Sequence, residues 1–313
     1  MRYDLHQHLW TAPLVDALRR RDALPFARRA GADTVLMLPG ESPAAIDAGS
    51  DSVERRLRTA TRDGVDRIVI ALSSPVGIEG LPRREAEPLL DAWEEGLSSL
   101  PPVFGAWGAL PLRGARPHEV DGLLDRRFAG LSVPAGAIAT PTGLGMLLPV
   151  LRRLEENGAP LFVHPGPSPW RPRRGLESGT PAWWPALTQY VADMQAAWLS
   201  FTIAGRPELP ELPVVFAMLA GCAPLQAERL AARGGPANRG TDPLTFFDTS
   251  SYGPVAVDAM IRCVGVEQLV HGSDRPVAEP HSHRYGDALD HALRVTNPAR
   301  VLRGAEVQEA VAA

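Results

Sequence analysis

Eight short β-type runs divide the 313-residue chain, with helical stretches between them. They are RYDLHQH (2–8), DRIVIAL (66–72), PVFGAWGAL (102–110), FAGLSV (128–133), PLFVH (160–164), PVVFAML (213–219), LTFFDTS (244–250) and EQLVHGSD (267–274). Between them lie amphipathic segments such as SVERRLRTATRDG and LGMLLPVLRRLEENG, several closed by the glycine that a helix C-terminus prefers. Strand and helix in alternation predict parallel strands joined by crossover helices, and eight such units predict a (β/α)8 TIM barrel. The length suits one barrel domain over 1–313. Two segments fall outside the pattern. ADTVLMLPGES (32–42) reads as a small excursion over one end of the barrel, and 165–212 reads as a long loop followed by a helix from about Ala186 to Ala204. Long loops inside compact domains are functional or disordered, and the three tryptophans of this one argue for order.

Composition narrows the chemistry. A net charge of -4 provides no basic surplus for nucleic acid or anionic lipid, so the expected partner is a small-molecule substrate. No apolar run reaches the roughly 18 residues needed to cross a bilayer. Two cysteines, Cys222 and Cys263, make no disulfide framework, and MRYDLHQHLW lacks a signal-peptide core, so the expected location is cytoplasmic. All 32 basic residues are arginine. Without lysine there is no Schiff-base catalysis, no pyridoxal anchor, no phosphate-loop lysine and no carbamylated lysine bridging two metals.

Alternate side chains of a strand share one face, so His6 and His8 project together into the barrel while Gln7 faces the helices. The end of the first strand lies at the C-terminal mouth, where barrels of this kind perform their chemistry. His164 and Asp274 close two other strands. Three imidazoles and a carboxylate make a nitrogen-rich site for one divalent metal ion, with Zn²⁺ the expected occupant and Mn²⁺, Fe²⁺ or Co²⁺ the alternatives.

DLHQH, PLFVHPG, QAAWLSFTIAGRPELPELPVVFAMLAGCAP, GVEQLVHGSDRPV and the closing ALRVTNPARVLRG, taken in order, resemble the amidohydrolase-related proteins. That group includes aminocarboxymuconate-semialdehyde decarboxylase and the γ-resorcylate-type decarboxylases. The resemblance implies a metallo-dependent-hydrolase barrel, a mononuclear site held by His6, His8, His164 and Asp274, and a homodimer. It fails in the sixth strand, where FAMLAGCAP places Met218 at the position of the family's proton-handling histidine. A thioether cannot serve as a general acid or base.

Three groups are expected to handle the proton in its place, namely Asp274 itself and the pair His281 and His283 on the loop after the eighth strand. Strand parity points His271 away from the axis, and His118 and His291 read as surface residues. The substrate-binding expectations are Trp170, Arg171, Trp184, Met218 and Ser250. Arg171, Arg173 and Arg174 can grip a carboxylate, and Trp170, Trp183 and Trp184 can cover a flat ring. Tyr252 is a further wall residue, and Asp248 reads equally as a cap for the turn that follows it. The expected activity is hydrolysis of a small carboxylated ester, lactone or amide by a metal-activated water. The first alternative is non-oxidative decarboxylation of an aromatic or unsaturated acid. The second, raised by Met218, is a catalytically silent ligand-binding barrel.

Overall fold

The computed structural model describes residues 1–31, 33–46, 52–172, 175–235, 242–280 and 285–302. Eleven strands occur among them: β1 (Tyr3–Gln7), β2 (Phe26–Ala30), β3 (Asp33–Met37), β4 (Ala44–Ile46), β5 (Arg67–Ile70), β6 (Phe104–Ala106), β7 (Leu131–Pro134), β8 (Leu161–His164), β9 (Val214–Phe216), β10 (Thr245–Asp248) and β11 (Leu269–Val270). Eight of these fall in the eight predicted runs. β1, β5 and β6 form one parallel sheet, and β7 to β11 form a second in sequence order. Backbone hydrogen bonds close both seams. On one side Leu5 N donates to His271 O at 3.0 Å and Asp274 N to His6 O at 2.8 Å; on the other, Ser132 N donates to Gly108 O at 2.7 Å. The result is a ring of eight parallel strands, the (β/α)8 barrel.

The reason lies in the strand sequences. RIVI, LFVH, VVF and TFFD are apolar and almost wholly buried, as strands covered by helices on one face and by barrel packing on the other must be. The helices between them carry local start and stop signals. Ser52 caps Val53–Asp63 by accepting from Arg55 N at 3.3 Å, and Gly64 ends that helix in the left-handed conformation. Thr140 caps Pro141–Glu156 in the same way.

The excursion is larger than its apolar run suggests. β2, β3 and β4 form an antiparallel sheet from Phe26 to Ile46. FARRA escapes a hydrophobicity-based reading because only Ala27 of β2 is buried. In the second insertion, Gln189–Ser200 is helical and continues through a π turn to Gly205, after the short helix Trp184–Leu187. The two insertions meet, Tyr190 bonding to Glu41 through its hydroxyl.

Candidate metal centre

β1 is not a regular strand. Between the pairs Asp4↔Ile68 and Gln7↔Ile70 it advances three residues against two on β5, a bulge. Bulges re-aim side chains. Here the bulge puts Asp4 on the same side as Gln7, whose amide donates to Asp4 Oδ2 at 2.7 Å. Arg56, a buried residue of the helix Val53–Asp63, donates to Gln7 Oε1 at 3.1 Å and to His8 O at 2.9 Å. The bulged carbonyl of Leu5 accepts Trp107 Nε1 at 2.8 Å. His6 and His8 are left facing the barrel interior.

There they meet His164 and Asp274. The four ligating atoms lie within 4.8 Å of one another, and all four residues are buried. His8 Nε2 stands 3.1 Å from His6 Nε2, 3.2 Å from His164 Nε2 and 3.2 Å from Asp274 Oδ1, while His6 Nε2 stands 3.5 Å from that oxygen. Ligands about 2.1 Å from one ion are separated by about 3.0 Å at right angles and about 3.4 Å in a tetrahedron. These four of the six spacings among the donors match edges of such a polyhedron. Three rings with centroids 4.9 Å apart and planes 82° to 87° from one another aim their Nε2 atoms at one point rather than stacking.

The remaining ring nitrogens fix the tautomers. His8 Nδ1 lies 2.9 Å from Ala71 O and His164 Nδ1 2.8 Å from Pro165 O. A carbonyl only accepts, so both Nδ1 atoms carry the proton and both Nε2 atoms present a lone pair. His6 Nδ1 faces Asp248 Oδ2 at 2.8 Å, an arrangement that orients histidine ligands in metal sites. Phe162 supplies an apolar floor, its ring 5.1 Å from His6 and stacked on Trp107 at 4.9 Å.

Electrostatics follow from this packing. Burial, then the neighbouring His6 and His8, hold His164 well below the usual imidazole pKa. Burial would raise the Asp274 carboxyl, but the charges of His6, His8 and His164 outweigh it and lower it strongly. For His6, burial disfavours the charged form, and Asp248 and Asp274 reverse this and raise its pKa. The site therefore contains an ionised carboxylate and at least one imidazole ready to bind a cation without first losing a proton.

Asp248 reads from the sequence as a turn cap, and the structure gives it a second role. Its Oδ1 accepts from Ser250 N at 2.9 Å while its Oδ2 holds His6. Parity alone does not reveal this, because the partner is 242 residues away in the chain. Ser250 commits its hydroxyl to Asp248. It is Ser251, one residue on, that donates to Asp274 Oδ2 at 2.9 Å. The sixth strand stops at Phe216, and Met218 begins a run of five residues, to Cys222, with φ between 49° and 59°. Left-handed backbone costs an L-residue about 1 kcal/mol or more, so tertiary contacts must hold this run. Met218 is buried.

The loop residues are spread out. Trp170 is half-buried and tied down by its Nε1, which donates to Ala137 O at 2.9 Å. Arg171 is exposed and lines a cavity of about 380 Å³ with Thr140, Ser168, Gln189, Tyr190 and Asp193. Trp184 is exposed, its ring 5.8 Å from that of Trp183. His281, His283, Arg173 and Arg174 lie outside the described residues. His271 is buried behind β11 near Asp4, its pKa lowered to about 4 by burial. His118 and His291 are exposed.

No protein-family model and no curated protein matches the chain. Solved structures do match over nearly its whole length. IDCase from Metarhizium anisopliae, in its apo form, aligns with a TM-score of 0.74 at 19% identity, covering 97% of each chain. The chain has the amidohydrolase-type barrel fold. A structure described as amidohydrolase II gives 0.73 at 17% identity, covering 97% of this chain and 100% of that one. The 5-carboxyvanillate decarboxylase of Novosphingobium aromaticivorans, solved with manganese and 4-hydroxy-3-methoxy-5-nitrobenzoic acid, gives 0.69 at 17%, covering 97% and 96%.

Proposed function

We propose that this protein is a divalent-metal-dependent enzyme that decarboxylates a small aromatic or unsaturated acid without a redox cofactor. The observation that carries the reading is the buried four-donor cluster at a barrel mouth, on a fold shared with decarboxylases of aromatic acids. His6, His8, His164 and Asp274 would hold the ion. When bound, it supplies positive charge that anchors a carboxylate and draws electron density from the reacting carbon.

The fold shared with decarboxylases of aromatic acids favours decarboxylation over the hydrolysis expected from the motif. The bond from the substrate carbon to its carboxylate breaks, carbon dioxide leaves, and the carbon takes up one proton. One proton delivery suffices. Met218 stands where the proton-handling histidine is expected, so in either reaction another group must move the proton. In this reading Asp274, an ionised carboxylate that accepts the Ser251 hydroxyl, takes up a proton from water and passes it to the carbon. Arg171, in its cavity with Thr140 and Ser168, holds a second polar group of the substrate. The floor of Phe162 and Trp107 excludes water beneath the centre.

The test is a panel of hydroxybenzoates and unsaturated dicarboxylic acids, with esters and lactones beside them, given to protein loaded with Zn²⁺ or Mn²⁺. The expected result is metal-dependent release of carbon dioxide, abolished by Asp274→Asn. Release of acid from the esters or lactones alone would replace this reading with hydrolysis. Tight metal binding with neither product would favour the silent barrel. His281→Ala and His283→Ala, assayed in parallel, test whether either histidine shares the proton delivery.

A further inference from the structure

The sixth strand brings no ligating side chain to the centre, yet its main chain is tied to a ligand. Met218 N lies 3.0 Å from Asp248 Oδ1 and 3.1 Å from Ser250 Oγ. The same Oδ1 accepts Ser250 N at 2.9 Å and the Ser250 hydroxyl. One carboxylate oxygen thus meets three donors from two different strand ends, and the other oxygen faces His6 Nδ1 at 2.8 Å. A carboxylate held this way accepts only, so the proton of the Asp248–His6 contact sits on Nδ1. Nε2, beside His8 Nε2 and Asp274 Oδ1, is then the His6 nitrogen available to ligate an ion.

We propose that the strand-6 turn serves the metal centre through its backbone: the Met218 N–H and Ser250 lock Asp248, and Asp248 locks His6 as the tautomer that ligates through Nε2. Asp248 is a positioning residue, and this role asks nothing of the side chain at 218. The left-handed run from Met218 to Cys222 supports the reading, since a backbone of this kind persists only where its surroundings over-determine it. Gly272 supports it too, because a β-carbon there would stand 2.9 Å from Asp248 Oδ2. The inference rests on the metal-binding reading of the cluster and adds the group that sets one of its ligands.

Asp248→Asn separates the alternatives. The three donors keep the amide oxygen where Oδ1 was, which turns the NH2 toward His6 Nδ1. Nδ1 must then accept, and the proton moves to Nε2, pointing at the ion. Zn²⁺ affinity, measured by competition with a chromophoric chelator, is expected to fall 10- to 100-fold, the usual cost of losing such an outer partner. The visible bands of the Co²⁺-substituted protein are expected to change. Asp248→Asn binding Zn²⁺ within twofold of the parent, with unchanged Co²⁺ bands, would overturn the inference and leave the metal reading standing. A parent protein that binds no Zn²⁺ would remove the metal reading, and the inference with it. Should the variant not fold, ¹⁵N-histidine spectra of the Zn²⁺-loaded parent decide: a protonated Nδ1 on His6 is expected, and a protonated Nε2 overturns the inference.

Discussion

Gly272 stands against His6 so closely that a β-carbon on it would lie 2.8 Å from His6 Cβ. Real β-carbons do not approach that near, and neither partner is the free end of a flexible side chain. Gly272→Ala must push β1 and β11 apart or tilt His6, in the manner of an overpacked core. The expected cost is about 1–3 kcal/mol of stability. Thermal unfolding of the metal-free protein measures that cost, and elemental analysis after dialysis measures metal retention. An unchanged melting temperature together with full metal content would contradict the close approach.

Asp274 is the one carboxylate among the four donors, and its conformation is set by more than its charge. Its φ of 60° places it in the left-handed region, and its backbone N–H is fixed on His6 O at 2.8 Å. Asp274→Asn preserves shape and removes the negative charge that the imidazoles face. Metal content after gel filtration should fall from near one equivalent to a small fraction of that. The parent protein should gain thermal stability on adding Zn²⁺, by about 2.7 kcal/mol at a hundredfold excess over Kd, and the variant should gain less. Equal stabilisation of both by Zn²⁺ would show that the ion binds elsewhere.

Glu79 is buried in the turn after β5 with no charged partner among the described residues, its Oε1 bonded to the Ser74 hydroxyl. Burial, only partly opposed by that bond, raises its pKa from 4.5 to about 7. The folded protein therefore keeps this proton over a pH range in which the unfolded chain has lost it. The associated stability is fully present below about pH 4.5 and is lost as pH rises through about 7. Glu79→Gln retains a partner for Ser74 and cannot ionise. Denaturant titrations at pH 5 and pH 8 should show the variant gaining on the parent as pH rises, by at most about 3 kcal/mol at about 1.4 kcal/mol per pKa unit. A difference between the two proteins that does not change with pH would mean that Glu79 ionises freely.

Arg127 follows the helix His118–Asp125 with φ of 64° and is exposed. Glycine is the residue that ends helices in this conformation without strain. Arg127→Gly should stabilise the fold by about 1 kcal/mol, read as a rise in melting temperature. A fall would show that the arginine side chain contributes more than its backbone costs.

The sequence carried the frame because the frame follows from local rules. Alternation of apolar runs and amphipathic helices, repeated eight times, has few solutions other than a barrel, and all eight runs contain a strand. DLHQH, PLFVH and VHGSD also bore their chemistry openly, since a histidine pair at a strand end and two further donors at strand ends have one place to converge once the barrel closes. FARRA did not announce β2, because its strand is mostly exposed and shows no apolar period. The bulge in β1 was invisible as well, for it depends on register against β5 rather than on the residues of β1.

By itself the sequence determined the eight-unit barrel, the identity of the four convergent side chains and the thioether at position 218. Only the tertiary structure decided that Asp248 holds His6, that Ser251 rather than Ser250 reaches Asp274, and that Gly272 makes room for both histidine and carboxylate. The physical reason is distance along the chain. Periodicity and capping act within a few residues, whereas His6 and Asp248 come into contact only after the strands between them have closed the ring.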